Sequence, residues 1–136
     1  MTDPAGYSGT PLARKLGVKH DSRLLLVAAP PGFDLPDLPA GALVHRRAGG
    51  SSYDVIVAFC PDLARLQARL TANAPRLTTA GALWLAWPKR ASGVRTDVNE
   101  NVVRDAGLRA GLVDVKVAAV DETWGALKFV RRLRDR

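Results

Sequence analysis

A group of basic and small polar residues follows a long apolar stretch in the second half of the sequence. The group comprises Lys89, Arg90, Ser92, Gly93 and Arg95. It lies just before Asp97 and Glu100, whose spacing is that of a capping box at the start of a helix. Cations, a hydroxyl and free backbone N–H groups at a helix start suit a phosphate or a carboxylate. We therefore predict that these five residues bind a ligand.

A short acidic turn near the end of the chain has two possible roles. Asp121 and Glu122 could hold an amine, or they could neutralise the cations of residues 89–96. In the second case an internal salt bridge would simply fasten the two segments together. Trp124, two residues later, could stack on a ligand or pack in the core. We include Asp121, Glu122 and Trp124 among the predicted ligand-binding residues and leave the structural alternative open.

The single cysteine, Cys60, could be a reactive thiol. It ends an apolar run and directly precedes a predicted helix start, where the helix dipole would favour a thiolate. The alternative is a small buried hydrophobic side chain. One cysteine excludes an internal disulfide, and the two histidines, His20 and His45, lie in loop and edge contexts. We predict no metal site and assign no catalytic residue.

Composition and charge narrow the class of protein. The 136 residues predict one domain, with an N-terminal arm at 1–9 and a basic tail at 132–136. The net charge of +7 makes nucleic acid a candidate partner, although no RNA-binding signature or zinc finger is present. The longest apolar stretch is far shorter than the ~20 residues of a membrane helix. The first residues do not resemble a signal peptide, so we expect a cytoplasmic protein with no membrane partner.

The sequence predicts alternating strands and helices, and these elements position the candidate residues. Continuous apolar runs predict buried strands, and capping residues predict helices at 10–17, from 61, and from 97. The predicted strands cover residues 23–29, 43–46, 54–59, 81–87, 113–120 and 124–131. Helical crossovers make strands parallel, whereas the last two strands are joined by a tight turn and must form a hairpin. We predict a three-layer, mostly parallel α/β sheet with strand order 2-1-3-4-6-5, in which strand 6 is antiparallel. The loop at 89–96 and the turn at 121–124 should then meet at the carboxyl edge, where such sheets bind ligands.

The pattern of residues 53–132 resembles the C-terminal half of a class I methyltransferase. Three stretches also resemble a family of small bacterial proteins with a methyltransferase-like (Rossmann-like) fold and no established activity. They are GYSGTPL at 6–12, AWPK at 86–89 and AVDETW at 119–124. The resemblance implies the fold and does not imply an activity.

The cofactor motifs of methyltransferases are missing from the expected places. The first strand leads into Pro30 and Pro31 where the family has a glycine-rich loop, and prolines lack backbone donors. Residues 45–47 are basic where the family has an acidic residue for the ribose, and residues 60–62 lack the Asn/Asp-Pro-Pro motif. We therefore expect no cofactor and no appreciable binding of S-adenosylmethionine.

These observations predict a non-catalytic binding module. It would use a degenerate methyltransferase-like pocket for a small anionic ligand or a protein partner. The alternatives are an S-adenosylmethionine-dependent methyltransferase of minimal size and a nucleic-acid-associated protein.

Overall fold

The computed structural model describes residues 10–136, and the predicted arm at 1–9 lies outside them. The helices are α1 (Leu12–Lys15), α2 (Leu63–Asn73) and α3 (Glu100–Arg109), with short 3₁₀ segments at Ala74–Arg76, Arg90–Ser92 and Leu133–Asp135. The strands are β1 (Arg23–Val27), β2 (Leu43–His45), β3 (Tyr53–Phe59), β4 (Leu77–Pro88), β5 (Leu112–Ala119) and β6 (Trp124–Arg131). Among these residues, no helix has the length and apolarity needed to cross a bilayer.

The six strands form one mixed sheet in the order β2-β1-β3-β4-β6-β5. The first four pair in parallel, and β6 is antiparallel to both β4 and β5. The predicted order and the predicted antiparallel strand are both confirmed. The direction of β6 follows from its connection, because residues 120–123 are too few for a crossover.

Both faces of the sheet are covered, which explains the continuous apolar runs of its central strands. Helices α2 and α3 pack on one face through Leu66, Leu70 and Val103. Helix α1 and the loop at 28–42 cover the other face, with Leu16 and Leu35 fully buried. The result is a three-layer α/β arrangement of the predicted kind.

Gly107 lets α3 lie close to the sheet. A side chain there would overlap the Phe129 ring of β6, so only glycine fits this point of the helix.

Three local predictions were wrong at their boundaries. The capping residue of α3 is Asn99, whose side chain accepts from the Val102 N–H, and not Asp97. The helix predicted from residue 61 ends before Leu77, because Pro75 lies in the 3₁₀ segment and Leu77 already pairs with β3. No side chain caps α1, which follows Pro11 directly.

Candidate functional site

The loop at 89–96 and the turn at 121–124 are neighbours in the structure. Pro88, at the end of β4, pairs with Trp124, at the start of β6. The Lys89 N–H then donates to the Thr123 carbonyl over 2.7 Å. The two predicted segments therefore lie side by side at the carboxyl edge of β4.

A groove of about 840 Å³ opens beside the loop and the start of α3. Its walls come from the end of β4, residues 89–90 and 93–98, the start of α3 and residues 117–119 of β5. Four of the predicted ligand-binding residues line it: Lys89, Arg90, Gly93 and Arg95. Its volume is within the range of small-molecule sites.

The loop is held in a defined shape. The Ser92 hydroxyl donates to the Lys89 carbonyl over 2.6 Å and accepts from the Val94 N–H. Gly93 has φ 76°, a left-handed conformation that favours glycine. The Thr96 hydroxyl donates to the Pro61 carbonyl, and Asp97 accepts from the Leu63 N–H. Ser92 therefore shapes the loop, since its hydroxyl already has two partners inside it.

Glycine at position 125 makes room for the Lys89 side chain. A Cβ on Gly125 would lie 3.2 Å from Lys89 Cγ and 3.4 Å from Trp87 Cζ2. Gly125 and Lys89 both line the groove, so this contact places the lysine stem along its wall. Sequence reasoning missed Gly125, although a glycine inside a strand is itself a sign of close approach.

The acidic turn does not pair with the cationic loop. Asp121 Oδ1 accepts from the backbone N–H groups of Thr123 and Trp124, each over 2.8 Å. Across residues 10–136, the ion pairs present join no cation of the loop to Asp121 or Glu122. The alternative of an internal salt bridge is therefore not observed within residues 10–136, because Asp121 accepts hydrogen bonds from its own turn.

Trp124 lies in the core of the opposite face rather than in the groove. Its ring is edge-on to Phe59, with centroids 5.2 Å apart. Glu122 is exposed and is not among the groove residues. Asp121, Glu122 and Trp124 therefore do not line the groove, although their turn is hydrogen-bonded to Lys89.

The acidic side chains of the groove have partners elsewhere. Asp97 accepts from the first N–H group of α2, as described above. Glu100 pairs with Arg104 over 2.7 Å, and Arg104 also pairs with Asp114 over 2.9 Å. By contrast, the side chains of Lys89, Arg90 and Arg95 have no hydrogen bond or ion pair to any other residue of 10–136. The balance of the groove is therefore cationic.

Cys60 is buried in the structure, which favours the alternative of a small hydrophobic side chain over a reactive thiol. Its exposed fraction is 0%, and its Sγ contacts the Ala58 carbonyl at 3.4 Å. Burial raises the pKa of this thiol to about 12, and the nearby Arg69 lowers it by less. The raised pKa means that burial, which disfavours the thiolate, outweighs the favourable charge of Arg69.

The loop that follows β1 is folded down onto the sheet edge. The Phe33 ring packs edge-on against Phe59, with centroids 5.0 Å apart. Arg46, which follows β2, donates to the Phe33 carbonyl over 3.0 Å. The position after β2 is thus occupied by a cation that fastens this loop.

Comparison with known proteins identifies the fold. No protein-family model matches the sequence, and no curated protein matches it. Among solved structures, a DhpI–SAH complex aligns with a TM-score of 0.62 and 9% identity, covering 91% of this chain and 83% of that one. Ribosomal protein L11 methylase from Lactobacillus delbrueckii subsp. bulgaricus aligns with a TM-score of 0.58 and 11% identity, covering 89% of this chain and 75% of that one. The fibrillarin pre-rRNA processing protein from Methanococcus jannaschii aligns with a TM-score of 0.54 and 16% identity, covering 88% of this chain and 73% of that one.

The chain therefore has a class I methyltransferase-like fold. Identities of this size establish a fold and not an activity. The resemblance to a bacterial family without established activity stays a prediction.

Proposed function

We propose that this chain binds a small molecule carrying a phosphate or carboxylate in the groove beside α3. One observation carries the proposal. Lys89, Arg90 and Arg95 line the groove without a side-chain partner in residues 10–136, whereas Asp97 and Glu100 are already bonded to other groups. Cations gathered around a concavity attract an anionic group, and arginine forms paired hydrogen bonds with phosphate and carboxylate.

The size of the groove indicates more than a lone anion. At about 840 Å³ it is much larger than a phosphate group. Val117 and Ala119 of β5 add apolar lining to it. An organic ligand with one anionic end fits this combination of apolar wall and cationic rim.

Thermal-shift and calorimetric titrations test the proposal. The probes are inorganic phosphate, adenosine monophosphate and succinate. We expect saturable binding of at least one probe, weakened at least tenfold by Lys89→Gln and by Arg95→Gln. Arg109→Gln is the matched control, since it removes one exposed cation of α3 that pairs with Asp105 outside the groove. Binding that all three variants weaken equally, or no binding of any probe, would contradict the proposal.

Gly125→Ala adds a test that leaves the charge unchanged. The added methyl group would press on Lys89 Cγ, and so displace the lysine stem. We expect it to weaken binding of the same probe while Arg109→Gln does not.

A second candidate function is S-adenosylmethionine-dependent methyl transfer. The observation that favours it is the set of methyltransferase neighbours, which cover most of this chain. The folded-down loop with Pro30 and Pro31, and the basic residue after β2, weigh against it. The two candidates are compatible, because a methyltransferase also needs a site for the acceptor molecule.

A further inference from the structure

Four of the five lysines lie on the side of the sheet that α1 covers, and none of them lines the groove. They are Lys15, Lys19, Lys116 and Lys128. Lys128 Nζ lies 6.0 Å from the ring centroid of Trp84, a core residue of the face that α1 covers. Lys116 pairs directly with Lys128 across β5 and β6, so both side chains lie on that face. We call this surface the lysine face.

Residues of α1 and the loop behind it extend the lysine face. The Lys15 ammonium donates to the Ala119 carbonyl over 3.3 Å, at the end of β5. Lys19 is exposed and shares a cavity of about 440 Å³ with Arg14 and Asp37. The cations thus come from three separate parts of the chain.

Within residues 10–136, the charges of the lysine face lack compensation. Like charges directly opposite on neighbouring strands destabilise a sheet. No carboxylate of these residues forms an ion pair with any of the four lysines. Burial lowers the pKa of the Lys128 ammonium, and the charges of Lys116 and Lys19 lower it further. The sheet therefore tolerates a repulsive cluster that a single substitution would relieve.

The arginines near the C-terminus are a weaker candidate for the same chemistry. Arg131 donates to the carbonyls of Ala74 and Leu77, and Arg132 donates to that of Leu108. These guanidinium groups bind the protein's own main chain, whereas the ammonium groups of Lys19, Lys116 and Lys128 have no hydrogen-bond acceptor in residues 10–136.

We propose that the lysine face binds the phosphate backbone of a nucleic acid. This proposal goes beyond the function proposed for the groove and rests on other residues. The face is open, and a single ion pair in contact with water contributes little, so one small anion would be held weakly. A chain of phosphates sums such contacts and gains from the release of condensed counterions. Trp84 is fully buried, so it offers no stacking surface to a base, and we expect binding that is independent of base sequence.

Fluorescence anisotropy with a labelled single-stranded DNA of mixed sequence tests this proposal. The dissociation constant is measured over a series of sodium chloride concentrations. For single strands, the slope of log K against log salt changes by about 0.7 for each phosphate contact. We expect Lys116→Gln and Lys128→Gln each to reduce the slope by about that amount, and the double variant by about twice as much.

Lys89→Gln is the matched control, since it removes the same charge at the groove. We expect it to leave the slope unchanged while it weakens binding of the small anionic probes. An equal loss of slope in Lys89→Gln and Lys128→Gln would show attraction by net charge alone and overturn the proposal. Binding to phosphatidylserine vesicles without binding to DNA would also overturn it. The two proposals therefore fail independently of each other.

Folding controls keep the test decisive. We expect both lysine variants to unfold at the same temperature as the parent protein or at a higher one, because repulsion is removed. Lys116 is exposed, so Lys116→Gln still tests the proposal where Lys128→Gln alters folding through its contact with Trp84.

Discussion

Single side chains in this protein change their chemistry according to burial and local hydrogen bonding. Asp121 and Ser92 have the right types for ligand contact, yet both are used to hold backbone turns. Lys89, Arg90 and Arg95 lie in the same loop as Ser92 and keep their cationic groups unpaired within residues 10–136. Residue type therefore sets what a side chain can do, and its neighbours decide whether it is available.

Cys60 gives a prediction with a defined pH window. The unfolded thiol ionises near 9.0, whereas burial holds the folded thiol protonated up to about 12. Between these values the unfolded state loses its proton first, so the free energy of unfolding should fall as the pH rises. We expect this fall to be steeper in the parent protein than in Cys60→Ala, measured by urea unfolding at several alkaline pH values. Equal slopes would show that the folded thiol is not shielded.

A thiol reagent gives an independent check on Cys60. The folded protein should react with Ellman's reagent only as fast as it unfolds, and the urea-unfolded protein should react at once. Rapid reaction of the folded protein would restore the reactive-thiol interpretation.

The helices act as positioning elements for the groove. The first N–H group of α2 is bonded to Asp97, which lies 34 residues further along the chain, just before α3. Thr96 adds a second bond to Pro61, so the loop that carries the cations is tied to the start of α2. The depth of α3 on the sheet depends in turn on Gly107 and Phe129.

Gly107→Ala should destabilise the protein, although helices usually favour alanine over glycine. In an exposed helix, alanine is more favourable than glycine by about 1 kcal/mol. Here the new methyl group would overlap the Phe129 ring. Overpacking of a core commonly costs about 1–3 kcal/mol, so we expect a net loss of that order in urea unfolding.

A second substitution identifies the cause of that loss. Phe129→Leu shortens the side chain that the new methyl group would strike. Added to Phe129→Leu, the Gly107→Ala change should therefore cost less than it does in the parent protein. An undiminished cost would place the strain elsewhere.

The molecule as a whole has a methyltransferase-like sheet, and a loop covers one part of its carboxyl edge. Ligands of such sheets bind beyond the carboxyl ends of the strands. Here the loop after β1 packs Phe33 onto Phe59, and the open concavity lies further along the sheet, beside β4 and α3. The concavity that is open to a ligand therefore lies beside β4 and α3, and the edge beyond β1 is covered by its loop.

A titration with S-adenosylmethionine tests whether the protein can bind this cofactor. We expect calorimetry at high protein concentration to show no saturable binding in the micromolar range, with S-adenosylhomocysteine behaving alike. The physical reason is the loss of backbone donors at Pro30 and Pro31 together with the Arg46 contact to Phe33. Saturable micromolar binding would instead favour methyl transfer.

Much of the architecture could be predicted from local pattern. Continuous apolar runs identified β1, β3 and β4 as buried strands, and the short connection before Trp124 required an antiparallel β6. These features follow from the sequence because burial and connection length are encoded in residues that are close along the chain. The same reasoning placed the loop at 89–96 beside the turn at 121–124.

The detailed chemistry depended on contacts between distant residues. Asp97 had the spacing of a cap for its own helix and instead bonds to Leu63, while Asp121 turned away from the cations. The lysine face joins residues from α1, β5 and β6, which no local window contains. Side-chain direction and pairing are set by packing across the sheet, so only the folded chain decides which charged groups meet.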